Sequence, residues 1–296
     1  MALRALGLGD FLTGLPALRA LVDAFPDHRR ILAAPAALAP LVGLAGGGWD
    51  VVDTAPLAAL DPSLHNADIG VNLHGRGPQS HMILLAAEPA RLVAFAHPDV
   101  PASADGPPWA PAEHEVVRWC RLLQASGIPA DPSRIDLPAP PGSTGGGATV
   151  VHPGAGSADK RWAAWRWAEV AAAEVAAGRN VLVTGSAEEA GLARDVAAAA
   201  GVPPEAVMAG RTDLLSLAAI VAGAGLVLCG DTGIAHLATA LGTPSVVLFG
   251  PVPPSRWGPP PDRPQHVALW AGPDGLQDIT VAQVLAAADR LVRAGS

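Results

Sequence analysis

Short apolar runs alternate along this chain with segments whose apolar residues recur every three or four positions, and glycine, proline or a polar cluster separates most neighbouring pairs. Runs at 2–8, 30–33, 51–54, 67–73 and 92–96 have the length of strands, and 12–25, 36–44, 78–87 and 113–126 have helical spacing. In 12–25 the helical face is Leu15, Leu18, Leu21 and Val22, which places Pro16 in the first turn. After residue 147 the pattern restarts. Strands are expected at 148–151, 180–184, 207–209, 226–229, 245–249 and 267–270, and helices at 162–177, up to about 200, at 214–222, after 231 and at 280–294. Strands alternating with helices predict an α/β protein whose parallel sheets are covered on both faces. Residues 129–147 are rich in proline and glycine and end in Gly145-Gly146-Gly147, which reads as a linker between domains at 1–147 and 148–296.

The most informative stretch is 225–238. A short apolar run between glycines turns at Gly230-Asp231 directly into a helix, with Asp231 or Thr232 as its expected cap. Amides near Thr232, Gly233 and Ile234 would then be open to an anion, Gly233 would allow close approach, and His236 would lie in the first turn. The competing reading is an ordinary capped strand–helix junction. Three other strand ends, at 152–157, 185–188 and 250–257, also carry small or polar residues, and a parallel sheet puts all four on one edge. The turn with Gly154, Gly156 and Ser157 can offer backbone N–H groups to a phosphate, with Lys160, Arg161 and Arg166 close behind. Glu188 stands where a carboxylate can hold ribose hydroxyls, and Glu189 competes for that place. Trp162, Trp165, Trp167 and Trp257 are core residues or cover a base.

In the first half, Asp10 falls at the first strand–helix switch, either as a cap or as a ligand group. The tip at 74–81, with His74, Arg76 and His81, is a solvated loop or a grip on sugar or phosphate.

Composition narrows the function class. The 296 residues are half hydrophobic, enough for two cores, and their net charge of −8 opposes general electrostatic binding of nucleic acid. No apolar run reaches membrane-span length, and the first residues lack a secretory pattern, so a cytoplasmic protein is expected. Cys120 and Cys229 each sit among apolar residues and read as buried free thiols. Every basic residue but one is arginine, and the single lysine is Lys160, beside the glycine turn.

The set Gly9-Asp10, His152-Pro-Gly-Ala-Gly-Ser157, Lys160-Arg-Trp162, Gly185-Ser-Ala-Glu188, Gly230-Asp-Thr-Gly-Ile-Ala-His236 and Phe249-Gly-Pro-Val-Pro-Pro-Ser-Arg-Trp-Gly258 resembles glycosyltransferase family 9, the lipopolysaccharide heptosyltransferase-like enzymes. The resemblance is carried mainly by 148–258. It implies the GT-B fold, two Rossmann-like domains whose parallel sheets face a central cleft, with the acceptor on the N-terminal side and the nucleotide sugar on the C-terminal side. It implies an inverting transfer with no metal or cofactor, from a nucleotide-diphosphate sugar such as ADP-heptose to a hydroxyl of a glycan or glycolipid. Asp10 would be the general base and Lys160 would neutralise the leaving diphosphate. Glu188 would hold the nucleoside, and Asp231, Thr232, Gly233 and His236 would bind phosphate and sugar. Peripheral contact with the inner membrane face would follow from a glycolipid acceptor. A sugar-nucleotide epimerase of the same fold and a non-catalytic sugar-nucleotide-binding protein are the alternatives.

Overall fold

The structure is a computed structural model that describes residues 1–143 and 146–295; Thr144 and Gly145 of the expected linker, and Ser296, lie outside the described residues. The chain forms two compact units, Met1–Ile135 and Asp136–Ser296. Residues at the start of the second unit are tied to it by polar contacts. Leu137 N–H donates to Ala240 O at 2.7 Å, and Arg263 donates to Asp136 at 2.6 Å.

In chain order the first unit comprises β1 (Ala2–Leu3), α1 (Leu8–Ala24), β2 (Arg30–Ala34), α2 (Ala39–Ala45), β3 (Trp49–Asp53), β4 (Ile69–Asn72), α3 (Gln79–Ala86), β5 (Arg91–Val93) and α4 (Glu115–Ala125). Its strands pair in parallel in the order β3-β2-β1-β4-β5. Buried Leu3, Ala33, Leu64 and Leu84 belong to one apolar cluster on this sheet.

The second unit comprises β6 (Thr149–His152), α5 (Ala164–Ala176), β7 (Val181–Val183), α6 (Ala190–Ala199), α7 (Leu214–Ala222), β8 (Leu226–Gly230), α8 (Gly233–Leu241), β9 (Ser245–Phe249), α9 (Pro254–Trp257), β10 (His266–Trp270) and α10 (Val281–Gly295). The order is β10-β9-β8-β6-β7, again all parallel. The strands β8 and β9 are buried throughout, as their unbroken apolar runs require of a sheet covered on both faces. Trp162 and Trp167 pack edge to face at 4.9 Å in this core.

Two expectations fail at the amino terminus. The first strand is Ala2–Leu3 where 2–8 is expected, and α1 begins at Leu8 where 12 is expected, so Asp10 lies in a helical turn. Phe11 N–H donates to Gly7 O at 3.0 Å. Leu8, Gly9 and Asp10 carry no apolar period, so the hydrophobic pattern has no means of marking this first turn. Pro16 consequently sits inside the helix, where its ring removes one backbone donor. Val207 makes a single bridge to Val183 in place of a strand.

Both sheets reverse their strand order at one point, between β1 and β4 in the first and between β6 and β8 in the second. Open α/β sheets hold ligands outside the carboxyl ends of the strands at such a reversal. Asp10 and His74 follow β1 and β4; Lys160 and Asp231 follow β6 and β8.

Candidate active site

At the switch point of the second unit a single 3₁₀ turn, Ala158–Lys160, lies over the ends of β8 and β9. A Cβ built on Gly230 would stand 3.5 Å from Lys160 O, and one on Gly250 3.3 Å from Asp159 O. Lys160 Nζ donates to Asp231 Oδ2 at 2.8 Å; the Asp231 side chain is 6% exposed and that of Lys160 30%. The carboxylate is thus committed to the ammonium and does not cap α8. Thr232 occupies the cap position with extended backbone, but its hydroxyl turns back to Gly230 O at 3.4 Å. Neither of the two expected caps satisfies the helix start with its side chain. The amides of Gly233 and Ile234, which have no carbonyl one turn earlier, carry the positive end of the helix dipole. Gly233 is helical, so its missing Cβ matters for access and not for conformation. His236, in the same turn, packs edge to face on Trp257 at 5.7 Å.

The ends of β6 and β7 are joined by a carboxylate. Glu189 Oε2 accepts from Ser186 N–H at 2.8 Å while Glu189 N–H donates to Ser186 Oγ at 3.3 Å, a reciprocal capping box. The same carboxylate fills the space beside Gly154: a Cβ there would stand 2.1 Å from Glu189 Oε1. His152 Nε2 is 3.9 Å from it, with Nδ1 3.0 Å from Thr184 Oγ1, and burial lowers the His152 pKa against the opposing pull of Glu189. Glu188 points out into solvent, its carboxyl lowered by its own backbone N–H and the Ser186 hydroxyl. Of the two candidates, Glu189 is the carboxylate that the strand edge positions. Gly156 has open space where a Cβ would go, and Ser157 is exposed.

In the first unit Asp10 lies in the first turn of α1 with its carboxylate 29% exposed. Beneath it Arg4, 1% exposed, donates Nε to Asp10 O, Nη1 to Leu73 O and Nη2 to Thr13 Oγ1 at 3.0 Å, tying the helix start to the strand ends. The Asp10 carboxylate at 4.0 Å and Glu115 at 3.7 Å face its guanidinium, and Glu115 in turn accepts from Arg118 and from Trp119 Nε1 at 2.8 Å. Sequence reading missed this network; the signal available was a charged residue at the end of an apolar strand. His74, beside Asp10 and Arg4, has its pKa lowered, first by burial and then by Arg4, and its Nδ1 is buried without a hydrogen-bond partner among the described residues. His81 is fully buried, with Nε2 2.6 Å from Phe95 O and Nδ1 2.8 Å from Asn72 Nδ2. A carbonyl only accepts, so Nε2 carries the proton and Nδ1 accepts, leaving no ring atom for a ligand. Arg76 is exposed. A cavity of about 200 Å³ lined by Phe25, Trp49, His65 and Asp68 opens at the amino edge of this sheet, away from Asp10 and from the switch point.

Several known proteins are similar to this chain in sequence or fold. Lipopolysaccharide heptosyltransferase 2 of Escherichia coli K12 is 31% identical over 116 residues, 38% of this chain and 33% of its own length. Lipopolysaccharide heptosyltransferase 1 of Pseudomonas aeruginosa is 39% identical over 100 residues, 33% of this chain and 27% of its own. The matched region thus spans about a third of the length of these curated relatives. Among solved structures, a glycosyl transferase family 9 protein from Veillonella parvula superposes with a TM-score of 0.81 at 19% identity, covering 99% of this chain and 96% of that one. The ADP-heptose lps heptosyltransferase II of E. coli superposes at 0.80 and 19%, covering 99% and 98%. At that identity the likeness establishes the fold, the GT-B pair of parallel-sheet α/β units. The sequence profile of glycosyltransferase family 9 (heptosyltransferase) matches residues 109–275, more than half of the chain and the whole of the strand edge just described, and the chain belongs to that family.

Proposed function

We infer that this protein is an inverting glycosyltransferase that moves a sugar, heptose in the first instance, from a nucleotide diphosphate such as ADP-heptose to a hydroxyl of a glycan or glycolipid. The observation that carries the reading is the Lys160–Asp231 pair beside the open first turn of α8 at the switch point of the second unit. A diphosphate set on the Thr232 and Gly233 amides would be held by the helix end, with His236 near a phosphate or sugar oxygen and the 154–157 turn beside it. Glu189 would accept from the ribose hydroxyls through its untethered oxygen, with Glu188 as the solvent-side alternative. In this reading the second unit takes the donor and the first unit the acceptor.

The reaction is one displacement. The acceptor oxygen bonds to the anomeric carbon from the face opposite the diphosphate, Asp10 takes the hydroxyl proton, and the bond from carbon to the phosphate oxygen breaks with its electron pair on the diphosphate. Inversion follows from the single step. Charge leaving with the diphosphate is met by Lys160 and the α8 amides, groups already in place before reaction, so no metal is required in this scheme. The protein would work in the cytoplasm, with peripheral contact at the inner membrane face when the acceptor is a glycolipid; no helix among the described residues is long and apolar enough to cross a membrane.

The test is incubation with ADP-heptose and a truncated lipopolysaccharide core, with ADP release, product mass and anomeric configuration recorded with and without a chelator. Transfer with inversion, insensitive to the chelator and reduced about a hundredfold or more by Asp10→Asn, is expected. Conversion of the donor to an isomer without ADP release would mean an epimerase, and binding without turnover a sugar-nucleotide-binding protein.

A further inference from the structure

The pair at the centre of the site raises a problem of charge. Lys160 is the sole lysine, yet its ammonium is 2.8 Å from a carboxylate that is 6% exposed. As a unit the pair is neutral, and a nucleoside diphosphate arriving there meets Asp231 as well as Lys160. The α8 amides contribute only partial charge. A further cation whose donors are free to reach a phosphate would make the edge attractive to a dianion or trianion.

Most arginines near this edge are already engaged. Arg161 donates to Ala155 O at 3.2 Å and Arg166 to Ile279 O at 3.0 Å, so carbonyls of the protein already hold donors of both guanidinium groups. Arg256 is different. It lies in α9, which follows β9 at the carboxyl edge, and it is half-buried. Among the described residues it forms no ion pair, and its Nε is buried without a hydrogen-bond partner. A buried guanidinium donor left unsatisfied is costly, and such groups are uncommon unless something outside the protein completes them. Its chain neighbour Trp257 packs on His236 in the first turn of α8, which brings α9 close to the open start of that helix. An arginine there would meet two phosphate oxygens with parallel N–H groups, as a compact ammonium does not.

We propose that Arg256 is a diphosphate-binding residue of the donor site, supplying the full positive charge that the Lys160–Asp231 pair withholds. The proposal rests on the reading of this edge as a nucleotide-sugar site. It also explains why Arg256 Nε is buried with no partner among the described residues: the diphosphate is that partner.

The experiment is calorimetric titration of the full chain with ADP, GDP and UDP, and with the matching monophosphates, for the wild type, Arg256→Gln and Arg256→Lys. Arg256→Gln is expected to weaken the best nucleoside diphosphate by about ten- to a hundredfold, to weaken the monophosphate less, and to flatten the salt dependence of binding. Arg256→Lys should recover part of the loss. Because the Arg256 side chain has no hydrogen-bond or ion-pair partner among the described residues, the melting temperature of Arg256→Gln should match the wild type, so loss of binding is not loss of structure. Unchanged diphosphate affinity in Arg256→Gln, or equal losses for diphosphate and monophosphate, would overturn the assignment while leaving the donor site intact. Failure of the wild type to bind any nucleoside diphosphate would overturn the donor site itself, and Arg256 with it.

Discussion

Gly154 and Gly156 stand two residues apart in one turn and answer to different constraints. At Gly154 the space for a side chain is taken by the Glu189 carboxylate, which is held by Ser186 and cannot swing away without opening the capping box. Gly154→Ala should therefore lose about 1 kcal/mol of stability with the cap and weaken nucleotide binding at the same time. At Gly156 nothing stands within 4 Å of the missing Cβ. Gly156→Ala should leave stability unchanged or raised by about 0.4–1 kcal/mol through the unfolded chain. Urea unfolding and ADP titration of the two variants separate the roles. If Gly156→Ala binds ADP normally, no ligand approaches that backbone closely. The same carboxylate shows why sequence alone left Glu188 and Glu189 undecided: both follow a strand end, and only the capping box turns one of them inward.

Along α1, two effects of opposite sign meet at Gly14. Alanine is the better helix former by about 1 kcal/mol in an interior position. Its Cβ would, however, stand 2.7 Å from Arg4 Nε, the buried group that links Asp10 O, Leu73 O and Thr13. Displacing that guanidinium forfeits several charge-assisted bonds, each of about 1.5–3 kcal/mol. Packing outweighs propensity here, and Gly14→Ala should destabilise by about 2 kcal/mol or more in denaturant unfolding. An unchanged or raised midpoint would mean that Arg4 can relocate freely. The element also shows the limit of periodicity: the apolar face from Leu12 onward was legible, whereas the turn that carries Asp10 was not, because tertiary bonds from Arg4 stabilise it and its own sequence does not mark it.

At the scale of the whole molecule, buried histidines set the acid limit. His266 is buried beside Ser245 at 2.9 Å, its Nε2 has no partner among the described residues, and burial followed by Arg263 lowers its pKa to about 4. Between about 6.5 and about 4 the unfolded chain binds this proton and the folded chain does not, so stability falls as pH drops through that window. The difference is about 3 kcal/mol at its fullest. His74, His81 and His152 are lowered in the same direction. Unfolding midpoints measured from pH 7 to pH 4.5 should decline steadily, and His266→Gln should make that decline shallower. An identical slope in the variant would remove His266 from the account.

Much of this protein was determined by its sequence alone. Local periodicity and glycine punctuation depend only on neighbours in the chain, and they marked the alternation of strands and helices, the covered parallel sheets and the four strand ends of the second half that share one edge. The position of Lys160 beside a glycine turn and the helix start after Asp231 were equally local. Tertiary structure decided what each side chain does there. It joined Lys160 to Asp231 across 71 positions, buried Arg4 beneath Asp10, and left Arg256 Nε without a partner among the described residues. Such pairings depend on strand order and on which groups lose water together. A linear pattern carries neither, because desolvation and charge compensation are set by neighbours in space.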